Sequence, residues 1–264
     1  AMVSLSSQRN SDAEVVTSIQ VDGVADSRAL ADWPGQSGFV RDVLHRTSGA
    51  IDYEAALTLQ SGTTRLEINS NLQGLAMHLP RPFRKQAAQP RPLSLTLDFG
   101  EGEVGIDGVL GSELAMRVTI VDEQMDGIVH VGTTPGMANS WLRETEGPGL
   151  ELRGNLDVFN LTEWLDILNA TESVGTPTRD LRRLISRVGV DIGALDVYGQ
   201  VLESVNVRIE DLQGTDYWSV ALDSEAVAGS IHIPFDADDY ISAYLAYLRL
   251  PGGEDDPESP DTPD

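Results

Sequence analysis

The feature that most constrains this chain is an alternation of apolar and polar residues with a period of two. Ile51, Tyr53, Ala55, Leu57 and Leu59 are apolar, and Asp52, Glu54 and Thr58 lie between them. Successive side chains of an extended strand point to opposite faces, so the pattern describes a strand with one apolar face. It recurs in Arg65–Asn69, Leu93–Phe99, Leu114–Ile120, Leu150–Arg153, Val205–Ile209, Tyr217–Leu222 and Ala228–Ile233. Turn signals separate these runs: Gln60-Ser61-Gly62, Gly100-Glu101-Gly102, Glu146-Gly147-Pro148-Gly149 and Gln213-Gly214-Thr215. The gaps suit hairpins and short meanders, so the fold class is mainly β, with a largely antiparallel sheet. Whether its apolar face closes on a second sheet as a sandwich or stays open as a trough is not decided by periodicity.

Helical patterns are few and short. Asn160-Leu161-Thr162-Glu163 has a capping residue with a glutamate three positions later, which opens a helix through Leu168. Pro177 to Val188 reads as a second helix, with Leu181, Leu184, Ile185 and Val188 on one face and arginines opposite. Further helical stretches are expected at Arg28–Asp32, Gly38–Arg46 and Asp238–Tyr247; in the last, Tyr240, Tyr244 and Tyr247 share a helix face. Five regions follow. Residues 1–14 are a cloning scar (Ala1-Met2) and N-terminal lead, and 15–155 are a first β segment. Residues 156–188 are a helical insertion, and 189–251 are a second β segment continuous with the first. Residues 252–264, with six acids and three prolines, are a disordered acidic linker.

Charge narrows the function. The 264 residues include 42 acids and 18 bases, for a net charge of −24, which argues against nucleic acid and against anionic membrane surfaces. The basic clusters are short: Arg81, Arg84, Lys85 and Arg91, then Arg179, Arg182, Arg183 and Arg187. Lys85 is the only lysine; an acidic, lysine-poor surface fits a salt-tolerant habitat. With no cysteine, disulfides and thiolate chemistry are excluded. No apolar run is long enough to span a bilayer, and the start lacks the basic and apolar regions of a signal peptide.

Chemical motifs are weak. Gly100 to Gly105 matches G-x-G-x-x-G, but no helix pattern follows and two glutamates would repel a pyrophosphate, so a hairpin turn is the better reading. His45, His78, His130 and His232 lack metal-site spacing. Gly35-Gln36-Ser37-Gly38 lacks the spacing of a nucleophile elbow, and Asp236-Ala237-Asp238-Asp239 lacks the glycine and distal glutamate of a calcium loop. The aromatic content of 6% is low for a sugar-stacking surface. No catalytic residue, metal ligand or cofactor is assigned.

One string is distinctive. Asn71-Leu72-Gln73-Gly74-Leu75 leads into Leu79-Pro80-Arg81-Pro82-Phe83-Arg84-Lys85, followed by Arg91-Pro92-Leu93. With Gly149–Gly154, the Leu161/Trp164/Leu165 helix, Val227–Pro234 and Leu248–Pro251, it resembles the YhdP family of AsmA-like envelope proteins over residues 15–251. The resemblance implies an elongated, curved sheet, as an open groove or a partly closed barrel-like form, with no enzymatic activity. It also implies an interior periplasmic segment of a long Gram-negative protein anchored elsewhere in the inner membrane. Its apolar groove would carry phospholipid acyl chains between the inner and outer membranes, and its other partners would be neighbouring segments of the same chain. The residues expected to line that groove are Ile51, Tyr53, Leu57, Leu66, Ile68, Leu93, Leu95, Leu97, Val118, Ile120, Val207 and Ile209. The bland alternative is that each fills the closed core of a structural or scaffolding domain.

Overall fold

The computed structural model describes residues 2–9, 15–32, 38–122, 124–132, 149–172, 185–210, 217–234 and 239–249. The strands are β1 (Met2–Arg9), β2 (Val15–Asp26), β3 (Thr47–Gln60), β4 (Thr63–Ser70), β5 (Leu75–Met77), β6 (Leu93–Phe99), β7 (Glu103–Leu110) and β8 (Leu114–Val121). They continue with β9 (Gln124–Gly132), β10 (Leu150–Asn160), β11 (Ile185–Val197), β12 (Gln200–Glu210), β13 (Tyr217–Asp223), β14 (Val227–Pro234) and β15 (Ser242–Leu248). The helices are α1 (Ser27–Ala31), α2 (Gly38–His45) and α3 (Leu161–Glu172).

All the strands belong to one sheet, which follows chain order from β1 to β15 except that β5 pairs only with β3, off the main path. The sheet does not close on itself, and no second sheet lies against it among the described residues, so the sandwich alternative falls. Pairing is antiparallel throughout except at β10, which runs parallel to both β9 and β11. Each parallel step needs a crossover, and α3 lies in the second of them.

Strand direction then sets where the helices lie. The strands β2, β4 and β10 run the same way along the sheet, so α1 and α2, residues 71–92, and α3 all leave from the same end. There they share a core of Ile51, Leu72, Leu75, Met77, Leu79 and Ile167, with Val43, Phe83, Leu93, Leu110 and Trp164 packed around it. Two cations hold residues 71–92 in shape. Buried Lys85 donates from Nζ to the carbonyls of Leu72 (2.7 Å), Leu75 (2.7 Å) and Gln86 (3.2 Å). Buried Arg91 donates to the carbonyls of Phe83 and Arg84 and pairs with Glu113 at 3.1 Å. Burial foremost, and the charge of Arg91 second, lowers the Lys85 pKa from the ordinary lysine value. Gly49 and Gly74 meet where β3 pairs with β5, at φ +112° and +99°, and a Cβ on Gly74 would collide with the Ala50 carbonyl.

Several expected elements differ. Val188, with Ile185 to Arg187, lies in β11 and not in a helix, because its backbone pairs with both β10 and β12; the rest of Pro177–Leu184 lies outside the described residues. The stretch read as a helix at Asp238–Tyr247 contains β15, since pairing with β14 satisfies its backbone as a strand. Within the expected helical insertion 156–188, only α3 is helical among the described residues, and 156–160 and 185–188 are strand. Met2–Arg9 of the expected lead form β1, paired along β2. The α3 start matches its reading: Asn160 Oδ1 accepts from the Glu163 N–H at 2.9 Å. Gly100–Gly102 make the β6–β7 hairpin turn, with the Gly100 N–H donating to the Glu103 carbonyl. The acidic segment 252–264 lies outside the described residues.

Candidate functional site

Bridged residues on neighbouring strands share a face, so the pairing register can be followed across the sheet. One row runs Leu5, Ile19, Leu57, Leu66, Leu97, Ile106, Val118, Gly127 and Leu150. The next, displaced by two residues, runs Ala55, Ile68, Leu95, Gly108, Met116, Val129 and Leu152, then Val188, Ile209, Val220, Ile231 and Ala243. Both rows lie on the same face, and neither is interrupted by a charged residue. At strand spacings of about 4.8 Å, the 14 strands of the main path extend this face about 60 Å.

All twelve residues expected from the sequence fall on this face. Ile51 and Tyr53 share the parity of Leu57, Leu93 that of Leu97, Ile120 that of Val118, and Val207 that of Ile209. Ten are half-buried; Ile51 and Val118 are buried, at 8% and 5% exposure. Ile51 sits in the core at the helical end and Leu93 packs against it, so these two lie beneath residues 71–92 and α3. Tyr53 lies across Gly23, where its ring occupies the space a Cβ would need.

The face is not uniform. From β2 to β8 its residues are mostly half-buried. From β10 to β13, Leu156, Val188, Val190, Ile192 and Val205 are buried in one cluster, against which Val207 and Ile209 pack. Sequence reasoning missed this cluster, although Val188-Gly189-Val190-Asp191-Ile192 carries the alternation; the helical spacing of Leu181, Leu184, Ile185 and Val188 concealed it.

The opposite face is polar over most of its extent. Cross-strand pairs line it: Arg65 with Asp98 at 2.6 Å, Arg117 with Asp107 at 2.6 Å, and Asn206 with Asp191 at 2.6 Å. The Asp98 carboxylate, by hydrogen bond and then by charge, raises the Arg65 pKa. Glu151, buried on this face, is held by Arg153 at 2.8 Å, with Arg187 3.8 Å away. His130 is half-buried, and burial lowers its pKa. A cavity of about 1200 Å³ opens at the helical end, lined by the groove candidates Tyr53 and Leu93 and by Val24, Asp52, Glu54 and Arg91. Tyr53 and Leu93 belong to the apolar face, so this cavity adjoins the candidate site at its helical end. Among the described residues no group of three or more histidines and carboxylates is placed to hold a metal, and no helix is long and apolar enough to cross a membrane.

A single open sheet with one apolar face, one polar face and a helical cap at one end defines an open-sheet class of β protein. A family model described as YhdP protein matches residues 1–264, and the chain belongs to the YhdP family. That membership places it among AsmA-like envelope proteins, a family associated at a coarse level with lipid transport and not known for enzymatic activity. No curated protein and no solved structure matches the chain.

Proposed function

We propose that this chain is a periplasmic segment of a bridge-like lipid carrier, whose apolar sheet face shields phospholipid acyl chains moving between the inner and outer membranes. The observation that carries the reading is the continuous strand pairing, which lines up apolar residues from β1 to β15 on one face of a sheet that does not close. Each methylene withdrawn from water contributes about 0.8 kcal/mol, so a single acyl chain is held firmly by surface alone, without a polar anchor along the track. Such contact is non-directional: a chain displaced by one strand spacing meets an equivalent surface, which lets it slide. Movement is passive diffusion along the face, neighbouring segments of the same protein extend it at either edge, and the polar face meets water.

The test is photocrosslinking in cells with the full-length parent protein. The crosslinking residue replaces Leu95 or Leu97 in one set and Ser94 or Thr96 in the other. Lipid adducts at Leu95 and Leu97 but not at Ser94 and Thr96 are the expected result. In a folded protein, silence at all four positions would sink the conduit reading.

The cluster over β10–β13 favours a second reading for that half alone. Val205 is 1% exposed and Val190 is 5% exposed, as expected of a closed core in a structural or scaffolding domain. Crosslinkers at Val207 and Ile209 decide it: adducts there extend the track, and their absence confines it to β2–β8.

A further inference from the structure

Residues 71–92 are the longest stretch of this acidic chain with several cations and no carboxylate. Two of those cations, Lys85 and Arg91, are buried and engaged by carbonyls and Glu113. The other two, Arg81 and Arg84, are exposed. Resting on the conduit reading, we propose that Arg81 and Arg84 form a binding edge for the phosphodiester of a lipid headgroup whose acyl chains lie on the apolar face.

The placement follows from contacts. The Arg46 carbonyl accepts from the His78 N–H at 2.8 Å, which ties the end of α2 to this segment. The Arg81 carbonyl accepts from the Trp164 indole at 3.3 Å, and Phe83, between the two arginines, meets the Trp164 ring edge-on at 5.9 Å. Phe83 and Trp164 both pack on the apolar core that covers Ile51. Guanidinium groups therefore stand within a few residues of the apolar core, as the charged and apolar parts of an amphiphile adjoin. Arg84 Nε donates to the Leu79 carbonyl and Nη2 to Glu163, which leaves Nη1 for a further acceptor. The Arg81 guanidinium has no partner among the described residues. A guanidinium matches a phosphodiester with two parallel donors. Among the described residues, the turns at Ser61–Gly62, Gly100–Gly102 and Asp122 at the other end contain no basic residue and include Glu101 and Asp122. An anionic headgroup is thus drawn toward Arg81 and Arg84 at the helical end.

The experiment measures binding of three probes to this chain by calorimetry: dihexanoylphosphatidylglycerol, dihexanoylglycerol without the phosphate, and inorganic phosphate. In Arg81→Gln/Arg84→Gln, phosphatidylglycerol binding is expected to fall about tenfold, dihexanoylglycerol binding to stay unchanged, and Arg81→Lys/Arg84→Lys to retain part of the lost affinity. Circular dichroism verifies the fold. Should the double variant unfold, Arg81→Gln alone is used, since its exposed guanidinium makes no hydrogen bond or ion pair among the described residues. Unchanged phosphatidylglycerol binding, or equal weakening of both lipids, overturns the proposal and leaves the conduit reading intact. Inorganic phosphate binding as tightly as the phospholipid also overturns it, in favour of a free-anion site. If neither lipid binds, the conduit reading itself falls, and this proposal falls with it.

Discussion

Lys85 Nζ and the Leu72 carbonyl lie 2.7 Å apart, in a hydrogen bond that folds residues 71–92 back on themselves before the chain re-enters the sheet at β6. The only lysine of the protein is thus buried in the segment that covers one end of the apolar face.

Lys85→Met leaves the carbonyls of Leu72, Leu75 and Gln86 without this donor, and is expected to destabilise the protein by about 2–4 kcal/mol in urea unfolding. The pH dependence carries a second check. Burial lowers the folded-state pKa, so between that value and the ordinary lysine range the unfolded chain binds more protons, and wild-type stability rises with pH. The gap between wild type and Lys85→Met should be wider near pH ~10 than near pH ~7. A gap that narrows would contradict the burial argument.

Gly74→Ala should cost about 2 kcal/mol or more, because φ is +99° and the new methyl meets the Ala50 carbonyl across the β3–β5 pairing. Hydrogen exchange at Ser48 and Ala76 should accelerate with it. Protection unchanged from wild type would show that this close approach is not needed.

Asn160→Ala removes the acceptor for the Glu163 N–H and the donor to Asp196 at 3.1 Å. A loss of about 1–2 kcal/mol is expected, concentrated in α3. Calorimetric unfolding and protease sensitivity within residues 161–172 measure it, and an unaffected α3 would count against the cap.

Trp164→Ala removes the contacts with Phe83 and Phe159 and the hydrogen bond to Arg81, and is expected to cost about 2–3 kcal/mol. Since α3 and residues 71–92 meet through this ring, crosslinking between cysteines introduced at Arg84 and Glu163 should become slower. An unchanged rate would mean that other contacts in the core at the helical end hold α3 and residues 71–92 together without this ring.

The twelve apolar positions were legible because side-chain direction in a strand alternates with every residue, so parity alone assigns a face. Leu93-Ser94-Leu95-Thr96-Leu97 needs no partner to be read this way. The same logic failed where two periods compete. Tyr240, Tyr244 and Tyr247 fit a helix, yet residues 242–248 form β15 because β14 offers a ladder of backbone partners. The roles of Lys85 and Arg91 were illegible for a different reason. A lysine and an arginine in a basic cluster read as surface charge, and only the folding of residues 71–92 brings carbonyls from several residues around each of them.

By itself the sequence determined the strand character of the chain, the residues that share an apolar face, the cap of α3 and the family block at 71–92. These follow from local chemistry: side-chain period, capping groups and turn residues. The tertiary structure alone decided that the strands form one open sheet, that β10 runs parallel to both neighbours, and that the apolar face is covered near Ile51 and from β10 to β13. Strand order and covering contacts depend on pairings between residues far apart in the chain, and a period of two is satisfied equally by a sandwich, a barrel or an open face.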